Sequence, residues 1–139
     1  MTRDEAVAVV KDFFSVLGEA VSPGLNEYGF GGVALHGARV SFAFDQSAGT
    51  LAATALIYQF PRPVSKERLA RIEAAGEARL SAGVTLTYDP ESRYLSLQRV
   101  YSRPVPAIQF ASDVEELGAD SVRWDLGILD QVIDIADAA

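Results

Sequence analysis

The sequence predicts an α+β domain in the order helix, three strands, helix, two strands, helix, folded as a twisted, mostly antiparallel five-stranded sheet with three helices. Three observations point there. Apolar residues recur at helical spacing in three stretches. They alternate with period two in five segments bounded by turn residues. The chain has 139 residues, 49% of them hydrophobic, enough for one domain spanning 1–139 and too few for a second.

The first helix is expected over about residues 3 to 20. Thr2-x-x-Glu5 has the form of a capping box, and Ala6, Val9, Val10, Phe13, Phe14, Leu17 and Val21 recur at helical spacing up to Ser22-Pro23-Gly24. The cluster Gly29-Phe30-Gly31-Gly32 reads as a flexible lead-in to a short strand, Val33-Ala34-Leu35, that turns at His36-Gly37. Ala38, Val40, Phe42 and Phe44 then alternate with Arg39, Ser41 and Ala43, the pattern of a half-buried strand. After Asp45-Gln46-Ser47-Ala48-Gly49, a turn, comes a third strand with Leu51, Ala53, Ala55 and Ile57 on one face.

Pro61-Arg62-Pro63 ends this run. Ser65 can cap a second, amphipathic helix with the stripe Leu69, Ile72, Gly76 and Leu80, which should stop at Gly83. A second hairpin follows, Val84 to Tyr88 and Arg93 to Tyr101 around Asp89-Pro90-Glu91-Ser92. Pro104 and Pro106 interrupt the chain again, and Ser112-x-x-Glu115 offers a capping box for the last helix. Gly118 and Gly127 weaken that helix, with a break expected near Gly118 and a fraying end from Ile135 to Ala139.

Composition excludes several classes. A net charge of -7 and a pI near 4.6 would repel a phosphate backbone or an anionic membrane, so neither is an expected partner. The absence of cysteine removes disulfides, thiolate metal sites and thiol nucleophiles, and fits a reducing compartment. Met1 to Glu5 turns acidic at once, without a signal peptide's basic start and long apolar run, and no run approaches the ~20 apolar residues of a membrane span. The expectation is a cytoplasmic protein, neither exported by that route nor inserted in a membrane.

No catalytic or metal-binding constellation stands out. The single histidine, His36, sits in a tight turn without a neighbouring base, nucleophile or second ligand. Asp113, Glu115 and Glu116 read as acids at a helix start, favoured by the macrodipole. Asp45 and Asp89 stand at hairpin turns, where aspartate serves local hydrogen bonds. The glycine cluster at 29–32 precedes a strand and lacks the Lys and Ser/Thr of a phosphate loop. Neither an enzyme nor a cofactor is expected. What remains is a surplus of large apolar side chains, among them Phe13, Phe14, Phe30, Phe42, Phe44, Leu56, Ile57, Tyr58 and Phe60. Three short helices cannot cover both faces of a five-stranded sheet, so some of this surface should meet a partner.

The order of elements, Phe42-Ala43-Phe44-Asp45 with Gly49-Thr50-Leu51, and Gly83 to Pro90 followed by Leu95-Ser96-Leu97-Gln98-Arg99, resemble the class I chaperones of bacterial type III secretion, the Tir-chaperone-like family. The chain departs from that pattern in its Gly-rich segment after Tyr28 and its Pro-rich 104–106 segment. The resemblance implies a homodimer in the cytoplasm of a Gram-negative bacterium. It would bind the extended N-terminal region of a secreted effector, keep it soluble and secretion-competent, and use no ATP.

An extended client can add to an exposed strand edge and seat alternate side chains in apolar grooves. On that reading Val9, Phe13, Phe14, Leu35, Phe42, Phe44 and Ile57 lie in or below the client grooves. Leu69, Ile72 and Leu80, with Val84, Leu86 and Tyr88, are the expected dimer seam, because a two-fold axis uses one patch twice. Two alternatives belong beside this one. A regulatory or adaptor dimer of the same fold would bind a folded partner, and a small-ligand-binding α+β domain would converge Tyr58, Tyr88, Tyr94, Tyr101 and Trp124 on a closed pocket gated near His36.

Overall fold

The computed structural model describes residues 1–18 and 24–138. Helix α1, Arg3–Val16, begins at the expected capping box: Glu5 N donates to Thr2 Oγ1 at 3.2 Å and Thr2 N to Glu5 Oε1 at 2.9 Å. It ends at Val16, and the last residues expected of it, Ala20 and Val21 with Ser22-Pro23, lie outside the described residues. Strands β1 (Phe30–Leu35), β2 (Ala38–Asp45), β3 (Thr50–Gln59), β4 (Thr85–Tyr88) and β5 (Tyr94–Tyr101) form one sheet in the order β1-β2-β3-β5-β4, every pair antiparallel. The five-stranded antiparallel α+β fold is the one the sequence predicts.

The turn residues behave as their chemistry dictates. His36 (φ 49°) and Gly37 (φ 87°) close the β1–β2 hairpin in left-handed conformations. Asp45 Oδ1 accepts from Ser47 Oγ at 2.8 Å, Ser47 N at 3.0 Å and Ala48 N at 3.2 Å, and the Ser47 hydroxyl above all holds this carboxyl below its usual range. Asp89 is held low in the same way, first by the Ser92 hydroxyl and then by the Glu91 amide.

The glycine cluster differs from its reading as a flexible lead-in. Phe30, Gly31 and Gly32 are the first half of β1, paired with Ala43, Phe42 and Ser41. Gly31 faces the helices, where a Cβ would stand 2.7 Å from the Gly24 carbonyl oxygen. Glycine is there to let two backbones touch.

Helix α2, Lys66–Gly76, starts at its Ser65 cap, with Arg68 N donating to Ser65 Oγ at 3.2 Å, and runs into a 3₁₀ turn at Glu77–Arg79. The C-terminal half departs further from expectation. Helix α3, Ala107–Arg123, starts five residues before Ser112, with Pro106 as its N-cap. A proline at a helix start forfeits no hydrogen bond, because the first N–H groups have no intrahelical partner. Gly118 does not break α3 but packs it on β2, its Cβ position 3.2 Å from the Ala38 Cβ. The break comes later, in a π-helical turn at Trp124–Ile128 where Gly127 (φ 175°, ψ -32°) leaves the helical path. Beyond it a fourth helix, α4 (Leu129–Ala138), folds back along α2.

The helices pack on one face of the sheet. Leu51, Ala53, Ala55 and Ile57 of β3 are buried beneath them, whereas Thr50, Ala52, Thr54 and Leu56 point to the other face, which no described element covers; a bulge between Leu56 and Tyr58 turns Tyr58 back to the helix side, beside Leu129 and Ile133. Phe13 of α1 stands edge-on to Phe42 at 5.5 Å between ring centroids and to Phe110 of α3 at 5.4 Å, locking the two helices to β2. Tyr101 stands at 5.2 Å from Phe110, and its hydroxyl donates to Asp113 Oδ2 at 2.9 Å. Asp113 therefore anchors α3 to β5, where the sequence suggested only a solvated helix acid.

Burial, then the hydrogen bond to the Asp113 carboxylate, raises the Tyr101 phenol above the ordinary tyrosine value of 10.0. A raised folded-state pKa adds stability that is fully present below the unfolded value and is lost as pH rises beyond it. The protein should therefore lose stability as pH climbs above 10. In urea titrations at pH 9 to 11, Tyr101→Phe should flatten that dependence, and an unchanged slope would refute it.

Candidate partner-binding surfaces

The seven residues expected to meet a client divide in two. Val9, Phe13, Phe14, Phe42 and Ile57 are buried in the core, each no more than 6% exposed. They form the packed floor under the surface. Leu35 and Phe44 are half-buried at the β1–β2 end of the sheet. The reason is the aromatic cluster, in which Phe13 and Phe14 of α1 both stand edge-on to Phe42 of β2.

What β1 offers instead is its edge. Its inner side pairs with β2, and no strand pairs with its outer side among the described residues. Phe-Gly-Gly-Val-Ala-Leu carries no charge, proline or bulge to discourage pairing. Val33 and Leu35, half-buried, face the helix side beside that edge, and Phe30, 57% exposed, faces the other.

The residues expected at the dimer seam also divide. Ile72 is fully buried and Val84 is 7% exposed, so both are core residues. Helix α4 covers α2 on that side, held by Arg68 to Asp137 (Nε–Oδ1 3.0 Å, Nη2–Oδ2 3.2 Å), Arg71 Nε to the Ala136 carbonyl (3.0 Å) and Arg79 Nη1 to Gln131 Oε1 (2.6 Å). Leu69 and Tyr88 are half-buried, and the Tyr88 hydroxyl accepts from Val64 N at 3.0 Å. Leu80 and Leu86 are half-buried, and with Ala70, Ala74, Glu73 and Glu77 they line an open groove of about 350 Å³ between α2 and β4. Ala70 and Ala74, one turn apart, escaped a reading that weighed only large side chains.

The tyrosines and tryptophan do not converge on a pocket. Tyr58 and Tyr94 are each 40% exposed, while Tyr101 and Trp124 are buried among the helices. His36 is exposed at a hairpin tip. The open sheet face, by contrast, forms a trough of about 770 Å³ whose floor includes Gly32, Ala34, Ser41, Thr54 and Ser96. Among the described residues, no helix is long and apolar enough to cross a membrane.

The chain shares its fold with chains of solved complexes, one of them a type III secretion chaperone. A chain of the ExsC–ExsE complex superposes with a TM-score of 0.70 at 13% identity, over 91% of this chain and 96% of that one. The Yersinia pestis type III secretion chaperone SycH, solved with a stable fragment of YscM2, gives 0.57 at 19% identity over 85% and 98%. The ExoT–SpcS complex from Pseudomonas aeruginosa gives 0.57 at 16% identity over 86% and 96%. No protein-family model and no curated protein sequence matches this chain.

Proposed function

We propose that the protein is a dimeric, non-catalytic, ATP-independent chaperone of the Gram-negative cytoplasm. It binds the extended N-terminal segment of a type III secreted effector and keeps that segment soluble and secretion-competent. The observation that carries this reading is the uncharged outer edge of β1 beyond Phe30, whose own main-chain groups bond to Asn26; no strand pairs with that edge among the described residues, and the fold is shared with a chain of the HopA1–SchA chaperone–effector complex.

An unpaired edge supplies main-chain donors and acceptors in register, so an extended segment gains affinity without chemistry. Val33 and Leu35 beside the edge receive its alternate side chains, above the floor built by Phe13, Phe14 and Phe42. The test is co-expression with the proteins encoded beside its gene, followed by limited proteolysis. A client kept soluble and protected along tens of residues supports the reading. A compact footprint on a folded partner would favour the adaptor alternative, and clients that stay insoluble would refute the chaperone.

The dimer seam we propose is the groove of Ala70, Ala74, Leu80 and Leu86, doubled by a two-fold axis. Leu80→Asp with Leu86→Asp should halve the mass measured by sedimentation. An unchanged dimer would place the seam elsewhere.

A further inference from the structure

We propose that the trough on the open face of the sheet is a docking site for an amphipathic helix of the client, lying across the strands with a carboxylate against Arg39. The inference deepens the chaperone reading and rests on it only for which protein supplies the helix.

The trough has three properties that select such an occupant. Its floor, Gly32, Ala34, Ser41, Thr54 and Ser96, is made of small side chains, so a partner can come close to the sheet. Tyr94 stands exposed on this face towards one end, and Phe30 and Val100 towards the other.

Away from the outer edges of β1 and β4, the main-chain groups of the floor are already committed to the ladders between strands. An extended segment laid on this face would find no partners for its own backbone, whereas a helix satisfies its backbone internally. The edge of β1 and the face of the sheet therefore select different conformations of a client. From β1 to β4 the face is four strand spacings wide, about 19 Å, which about 13 residues of helix would cross.

Charge sets the polarity. Arg39 lines the trough, is exposed, and makes no hydrogen bond or ion pair among the described residues. The other charged lining residue, Asp89, is committed to the Glu91 amide and Ser92 hydroxyl of its own turn. Asp125 lines an adjoining cleft with Arg39 but does not reach ion-pair distance. In a chain of net charge -7, an unpaired guanidinium over an uncharged floor favours an acidic group on the occupant.

The probe is a pair of synthetic 16-residue amphipathic peptides with an alanine and leucine stripe, identical except for glutamate or lysine at the margin of that stripe. Amide NMR titration of the full chain reads both site and affinity. The glutamate peptide should shift the Ser41, Thr54 and Ser96 amides and bind at least tenfold more tightly than the lysine peptide. Arg39→Glu should reverse that preference, and Ser41→Trp, on the exposed floor, should abolish binding of both. Shifts confined to β1 and α1, affinity indifferent to peptide charge, or no shift at all would overturn the proposal. So would concentration-dependent self-association that Ser41→Trp abolishes, which would assign the face to a second copy. Peptide binding without client protection would refute the chaperone reading alone; client protection without binding in the trough would refute this site alone.

Discussion

Truncation of Trp124 to alanine should cost about 3–5 kcal/mol of stability, the range for deleting a large, fully packed aromatic side chain. Trp124 is 1% exposed and stands at the bend between α3 and α4. Its ring meets α2 at Gly76, where a Cβ would lie 2.8 Å from Trp124 Cη2. Glycine at the last residue of α2 lets the indole sit against the helix backbone.

Gly76→Ala should therefore destabilise by about 1–3 kcal/mol through overpacking, even though alanine is the better helix former. In the Trp124→Ala background that penalty should vanish, because the clash has no partner. Urea denaturation of the two single variants and the double variant measures the coupling. Additive effects would mean that the indole does not dock α4 onto α2.

The largest functional effect should come from Val33→Lys combined with Leu35→Lys. Both side chains are half-buried on the helix side of an edge strand, opposite Val40 and Ala38. Charges there interfere with strand addition, a device by which natural edge strands are kept from pairing. Client affinity should fall at least tenfold, with the protease-protected segment lost. The fold should survive, because each lysine can carry its ammonium out to solvent while its stem covers apolar surface. The urea midpoint separates the two effects. A stable double variant that still protects its client would move the binding site off β1.

Much of the architecture was legible locally. Thr2-x-x-Glu5 marked the start of α1, Ser65 the start of α2, and Asp45 and Asp89 the two turns, because each signal is a hydrogen bond between near neighbours. The last helix misled because two local signals competed. Ser112-x-x-Glu115 looked like a start and Gly118 like a break, whereas Pro106 begins α3 and Gly118 serves its contact with Ala38.

The site was less legible, for a different reason. Counting large apolar residues identified Phe13, Phe42, Ile57 and Ile72, and the fold spends all four on its interior. The surfaces we propose for partners include small residues, Gly32, Ala34, Ser41 and Thr54 on the open face and Ala70 and Ala74 beside α2, which carry no signal until their neighbours are known.

The sequence by itself determined the order and type of elements up to β5, the alternation that gives the sheet a buried and an open face, and the acidic, cysteine-free chemistry that bounds the partners. Only the tertiary structure decided which strand became a free edge, that α4 closes over Ile72, and that the trough has a guanidinium without a partner. Periodicity and capping act within a few residues and are written in sequence. Burial and pairing depend on contacts such as Arg68 to Asp137 and Gly76 to Trp124, which join residues far apart in the chain.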